Sequence, residues 1–416
     1  MPSSAINRYR RASGTGPASP RSIAAHPTPI GRKALLDFVD PSASSQTSLE
    51  SQSRVDSPRY RVNLRQGSFE DRWEAVKQIP RLGESAIPDL IAMLRDETLV
   101  WEIRWFSARS LGSFDHPMAI TALIDALGTA DQDLQEAIID ALGHIGPSAI
   151  QSLSTLVTEA TYQTLVIEVL TRIPHPATQV PLVAAVDLTT GTTQAKVIEA
   201  LGQFADLDLL PIFTQAVQNK ASSVRLAALQ GLIRLRTQVD ESGWVAWIQP
   251  LVQDVNPTVA QRAIHALGRT PHLAATRTLQ GLLEAIHTPE PLKIAASQAL
   301  SWQGTAAALA VLIQTWDTLG QDTRIALVQG LSQITHPGLK TQMSQPVQQW
   351  LNTLPATADH SLLRRNLVML LGQIGDDTAL PILQTLSQDA DAGVRFHAEA
   401  ALRSTPVLKQ GARVRI

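Results

Sequence analysis

Leu134-Gln135-Glu136-Ala137-Ile138-Ile139-Asp140-Ala141-Leu142-Gly143 is a short stretch of a 416-residue chain, and its pattern recurs along most of the sequence. With Leu142 as a phase marker, equivalent positions are Ile79, Leu111, Leu142, Leu170, Leu201, Leu232, Leu267, Leu300, Leu331, Leu371 and Leu402. The gaps between them are 32, 31, 28, 31, 31, 35, 33, 31, 40 and 31 residues, too regular for chance. Four residues before each marker the side chain is always apolar or small: Ala75, Ser107, Ile138, Val166, Val197, Ala228, Ala263, Ala296, Leu327, Leu367 and Ala398. Eight before, it is apolar or Tyr in eight of the eleven units, and one before it is usually Ala or Gly. Offsets of −8, −4, −1 and 0 make one stripe on a helix of 3.6 residues per turn. Small residues on that stripe let the next helix come close. A Gly often follows the marker (Gly112, Gly143, Gly202, Gly268, Gly372), which suggests a helix ending in the left-handed conformation.

A second, shorter amphipathic segment follows about ten residues later. Pro88, Pro181, Pro211 and Pro381 fall in its expected first turn, where a missing N–H costs nothing. A single helix pair cannot bury its apolar stripe, whereas stacked pairs can. The period of ~31 residues therefore predicts an all-α fold, a right-handed α-solenoid of about ten helix pairs.

Outward from the repeat, composition sets the limits. Residues 1–66 are rich in Ser, Pro, Thr and Arg and hold ten Lys/Arg against four Asp/Glu. Ordering them costs ~1–2 kcal/mol of backbone entropy per residue with little apolar surface to offset it, so they read as a disordered basic arm. Within the arm, Lys33-Ala34-Leu35-Leu36-Asp37-Phe38-Val39 is the one run able to dock as a turn of helix. The expected layout is this arm, the solenoid over 67–405, and a short basic tail over 406–416. The rest of the chain beyond the arm carries 25 basic and 33 acidic residues, so a basic arm precedes an acidic body. The chain has no cysteine, which excludes disulfides, thiolate metal sites and a Cys nucleophile. No run approaches the ~18–20 apolar residues of a membrane span. The first 34 residues hold six Lys/Arg and no acid, a composition shared with organelle transit peptides.

Units such as Val224-Arg225-Leu226-Ala227-Ala228-Leu229 and Val394-Arg395-Phe396-His397-Ala398-Glu399-Ala400-Ala401-Leu402 resemble HEAT repeats. So does Val100-Trp101-Glu102-Ile103-Arg104-Trp105-Phe106-Ser107-Ala108-Arg109-Ser110-Leu111-Gly112. More narrowly they resemble the HEAT-like subgroup named after the phycobilisome (phycocyanobilin) lyases, of cyanobacterial type. The resemblance covers residues ~68 to ~404. It implies a protein-binding scaffold or assembly factor that grips a client on a concave face, in phycobilisome or antenna biogenesis. The alternative it implies is a bilin lyase or bilin-handling chaperone, with bilin as a transient ligand and a phycobiliprotein subunit or a second HEAT-repeat protein as partner. It implies a cytoplasmic place, at the thylakoid surface, or a plastid one if the arm is a transit peptide. The HEAT-like deoxyhypusine hydroxylases bind iron through repeated His-Glu pairs. This chain has no His-Glu dipeptide.

The sharpest polar pattern lies seven residues before each marker: Arg72, Arg104, Gln135, Gln163, Gln194, Arg225, Ala260, Lys293, Arg324, Arg364 and Arg395. Stacking would align these side chains in a ladder. In one reading they knit neighbouring repeats by bonding acidic or carbonyl groups in inter-helix turns, with Asp96 and Asp254 as examples. In the other, Arg104, Arg225, Lys293, Arg324, Arg364 and Arg395 are donors for the carboxylates of a partner or of bilin propionates. Trp101 and Trp105, beside Arg104, form a candidate aromatic hot spot. His26, His116, His175 and His336 precede Pro and mark turns, as does His272, which follows one; His265 and His397 sit in helices without a metal-ligand spacing. No phosphate loop, nucleophile elbow or metal motif is present, so no catalytic or metal residues and no resident cofactor are expected, and cofactor-binding residues stay unassigned. The arm's ten basic residues offer salt-sensitive attraction to nucleic acid or an anionic membrane, which the acidic body opposes.

Overall fold

The computed structural model describes residues 53–404. The basic arm up to residue 52, including the 33–39 run, and the tail over 406–416 lie outside the described residues. The compact body begins at Asp56.

Every marker sits near the C-terminal end of a helix. These marker helices are Phe69–Leu82, Trp101–Leu111, Gln132–Ile145, Gln163–Arg172, Gly191–Gly202, Ser222–Leu235, Pro257–Gly268, Glu290–Gln303, Gln321–Leu331, Ser361–Ile374 and Ala392–Ser404. Each is preceded by a companion: Ser53–Gln66, Ile87–Arg95, Pro117–Leu127, Pro147–Leu156, Gln179–Val186, Leu210–Ala216, Glu241–Ile248, Leu273–Glu284, Ala306–Thr315, Pro337–Thr353 and Leu380–Leu386. Successive marker helices pack on one another, as do companions such as Ile87–Arg95 with Pro117–Leu127, and no strand occurs among the described residues. The architecture is an α-solenoid of eleven pairs among the described residues, one more than the period suggested.

The extra pair comes from the segment read as disordered. Ser53–Gln66 is a helix, and Tyr60 and Leu64, one turn apart, are buried. The Tyr60 hydroxyl donates to Asp89 at 2.8 Å. Two apolar contacts among many polar residues gave too weak a period to read, but they suffice once the next helix is there to cover them.

The stripe is the core. Ten of the eleven markers, all but Leu402, are at most 1% exposed, and every residue at −4 is buried. Fully burying one such Leu contributes about 1.5–3 kcal/mol. Pro88, Pro211 and Pro381 occupy the first turn of their companion helices as expected, and Pro181 lies buried in the first turn of Gln179–Val186.

The glycines after the markers are not left-handed terminators: Gly112, Gly202 and Gly268 stand at helix ends, and Gly143 and Gly372 lie inside their helices. None of the five has a positive φ. A Cβ on Gly112 would lie 2.7 Å from the Ala141 Cα, one on Gly268 2.7 Å from the Ala299 Cα, and one on Gly372 2.8 Å from the Ala401 Cβ. Each therefore takes the small residue that precedes the next marker, so two helices touch backbone to backbone. The left-handed terminators stand three residues later, at marker +4: Gly83, Gly146, Gly304 and Gly375, with φ from 59° to 74°.

Candidate functional site

The row at −7 is drawn inward by the end of the companion helix. That helix stops a few residues before the marker helix starts, leaving its last carbonyls unpaired. Arg72 Nε donates to the Leu64 carbonyl at 3.1 Å and Arg104 Nε to that of Leu94 at 3.0 Å. Gln135, Gln163 and Gln194 donate through Nε2 to the carbonyls of Leu127, Val157 and Val186. Arg324 reaches the Trp316 and Asp317 carbonyls, and Arg395 those of Asp389 and Ala390. Each donor closes its own pair, either on the last carbonyls of the companion helix or, for Arg324 and Arg395, in the turn that follows it. That is why Gln replaces Arg freely: one N–H aimed at one carbonyl satisfies the position.

Two of the arginines also bind the next repeat. Arg225 grips Asp254 with two bonds of 2.6 Å and donates to the Asn219 and Lys220 carbonyls at 2.8 and 2.9 Å. Burial pushes the Asp254 carboxyl up, but Arg225 and the Asn256 N–H outweigh it and hold its pKa below the ordinary carboxylate value. Arg364 is buried and bonds Asp389, while its neighbour Arg365 takes Asp391 through a bidentate pair of 2.8 and 2.7 Å. Arg365, the Ser361 hydroxyl and the Val394 N–H hold the Asp391 carboxyl well below the usual range. Of the six ladder residues singled out from sequence, only Lys293 has no partner among the described residues. Asp96 accepts from Thr98 rather than from Arg104.

Trp105 is half-buried and packs edge-on against the buried Phe106, with ring centroids 5.0 Å apart; Phe106 also meets Phe69 and Trp73. The Arg109 guanidinium lies 5.0 Å over the Trp105 ring, where burial pushes its pKa down and the Asp140 charge partly opposes this. Trp101 is half-buried at the start of its helix. This cluster joins the first two marker helices as packing. His116, His175 and His272 cap helix starts, each ring Nδ1 accepting a backbone N–H two residues on, at 3.1, 3.1 and 3.2 Å. Among the described residues, no three of His, Cys, Asp and Glu come together to hold a metal ion, and no helix is long and apolar enough to cross a membrane.

What the ladder leaves free is the face of the marker helices turned away from the companions, built from offsets −9, −6, −2 and +2. Charge changes sign along it. At these four offsets the first five units hold seven acidic and four basic residues, and the six from Ser222–Leu235 on hold one acidic and three basic. Glu136 and Glu199 are exposed on the first part, and Asp140 and Glu168 lie there beside Arg172. On the second part Arg234 and Arg269 are exposed, as is Arg262 at offset −5 beside them. The 48%-exposed Trp302 stands among them, its ring 5.1 Å from that of His265. Sequence reading left Trp302 without a role. Its register could have placed it: Arg234, Arg269 and Trp302 all lie two residues after consecutive markers.

The HEAT-repeat profile matches residues 63–143, 99–170 and 245–332, and that of the PBS lyase HEAT-like repeat matches residues 363–389. No curated protein matches the chain. Among solved structures, Kap121p bound to Pho4p is similar at 14% identity and a TM-score of 0.56, over 90% of this chain and 47% of that one. A mutant form of Kap121p is similar at 13% identity and 0.54, over 87% and 46%. Kap121p without Pho4p gives 12% identity and 0.51 over the same shares. The chain thus spans about half the length of these structures, and the likeness is one of fold.

Proposed function

We propose that this HEAT-repeat α-solenoid is a scaffold that holds a protein partner along the face of its marker helices. The observation that carries the reading is the continuity of that face. Eleven helices in one register present the same four offsets, and the side chains there change from net acidic to net basic along the row. Such a surface is extended and rigid, and it suits an elongated partner touched at many places. The ladder supports the function by closing each helix pair and, at Arg225 and Arg364, tying it to the next, rather than by offering its own donors.

The test is affinity capture by the full-length protein, followed by mass spectrometry and reconstitution with the purified partner. Glu136→Lys with Glu199→Lys should weaken the reconstituted complex at least fivefold while the far-ultraviolet circular dichroism stays unchanged. A partner that binds the reversed protein equally well would place its site elsewhere and sink this reading.

The match of residues 363–389 to the PBS lyase HEAT-like repeat favours a second reading, a bilin lyase or bilin-handling chaperone for phycobiliprotein subunits. Co-expression with bilin and such subunits should then yield a coloured covalent adduct. Colourless subunits in every combination would remove it.

A further inference from the structure

We infer that Arg234, Arg269 and Trp302, with Arg262 and His265 beside them, form a docking row for an extended acidic segment of a protein partner. The inference rests on the scaffold reading and names the chemistry of one part of its surface.

The row is a consequence of register. Helices Ser222–Leu235, Pro257–Gly268 and Glu290–Gln303 pack consecutively, and each places the residue at marker +2 on the same edge. All three residues at that offset are exposed, and the row is flanked at the same offset by the exposed Gln203 and Gln333. Elsewhere on the marker helices, basic side chains are largely tied up: Arg225 with Asp254, Arg172 with Asp140, Arg365 with Asp391. Arg234, Arg262 and Arg269 have no acidic or carbonyl partner among the described residues. The charges of Arg262 and Arg269 are felt by His265. Its ring Nε2 is buried without a hydrogen-bond partner, and its pKa is lowered by burial and then by Arg269 and Arg262. An incoming carboxylate would neutralise this uncompensated positive charge.

Spacing favours a polypeptide. Packed helices lie about 8–10 Å apart, so three neighbours span roughly 16–20 Å. An extended chain advances about 3.3 Å per residue, so carboxylates three residues apart meet Arg234 and Arg269 in turn. A residue three further on then reaches Trp302, whose exposed indole offers an apolar and aromatic platform. Guanidinium groups suit carboxylates because their paired N–H groups match both oxygens. Nucleic acid is the less suited anion, since the basic run ends after two repeats and the acidic half of the face adjoins it.

The experiment uses the full-length protein and a fluorescein-labelled peptide, Asp-Glu-Ser-Asp-Glu-Ser-Tyr-Glu, followed by anisotropy at low salt. The peptide should bind, a version with Lys for each acid should not, and Arg234→Glu with Arg269→Glu should weaken binding about tenfold or more. Trp302→Ala should weaken it about threefold or more, with helicity unchanged in both proteins. Absence of binding, equal binding by the charge-reversed protein, or tighter binding of a single-stranded oligothymidylate would overturn the inference. Retention of the captured partner by the charge-reversed protein would also overturn it, while leaving the scaffold reading intact. If the unaltered protein holds no partner at all, the scaffold reading fails, and the peptide titration still decides the row.

Discussion

Arg225 and Lys293 occupy the same offset in two repeats and make different contacts. Arg225 fills a nearly closed site, its side chain 11% exposed and that of Asp254 5%. Removing one partner of such a pair strands the other charge away from water. Arg225→Ala should therefore cost about 3–5 kcal/mol in urea unfolding, whereas Lys293→Ala should stay within about 0.5 kcal/mol. Equal effects would mean that the arginine is not held by Asp254. The periodic row itself was plain in the sequence, and so was the chance that it knits repeats together. What could not be read was its acceptor. For most members that is a backbone carbonyl, which every residue type carries and which leaves no trace in the letters. The aromatic residues show the same limit: Trp105 next to Arg104 looks like a surface anchor until Phe106 and Arg109 close around it. Trp302, which has no apolar neighbour in sequence, stays at the surface.

The helix, as an element, ends where its terminator stands. Reading the glycine at marker +1 as that terminator placed the ends of Gln132–Ile145 and Ser361–Ile374 three residues early, because a helical glycine and a left-handed one are the same letter. The distinction lies in the neighbour. Gly268 has the backbone of the next marker helix 2.7 Å from where its Cβ would be, whereas Gly281, inside Leu273–Glu284, has nothing within 4 Å. Alanine is the better helix former by about 0.8–1.0 kcal/mol, so only the contact can reverse the sign. Gly281→Ala should raise stability by about 0.5–1 kcal/mol. Gly268→Ala should lower it by about 1–3 kcal/mol as the two helices are pushed apart. Paired thermal melts of the two variants would decide. Stabilisation by both would show that the marker helices do not meet backbone to backbone at this position.

At the scale of the whole molecule, a stack of similar units must stop without inviting another copy to continue it. Interior marker helices turn an apolar or small side chain toward the next repeat at offset −3: Ala108, Ile139, Ile167, Ile198, Leu229, Ile264, Ser297, Val328 and Val368, all buried. The last described helix, Ala392–Ser404, has Glu399 there instead, and at +1, where five interior helices have Gly, it has Arg403. These two side chains are exposed and pair at 3.6 Å. This break in two columns of the repeat at the last described helix was legible in the sequence. The first described helix, Ser53–Gln66, was not legible, because it is a companion helix with no marker and follows no columned pattern. The polar end has a consequence for assembly. Glu399→Ile with Arg403→Gly would restore an interior face at the last helix, and it would stand beside Phe396, already 63% exposed. The doubly substituted protein should self-associate with rising concentration, its mass in sedimentation velocity climbing above that of the unaltered chain. An unchanged mass across the same range would show that polarity at these two positions is not what closes the stack.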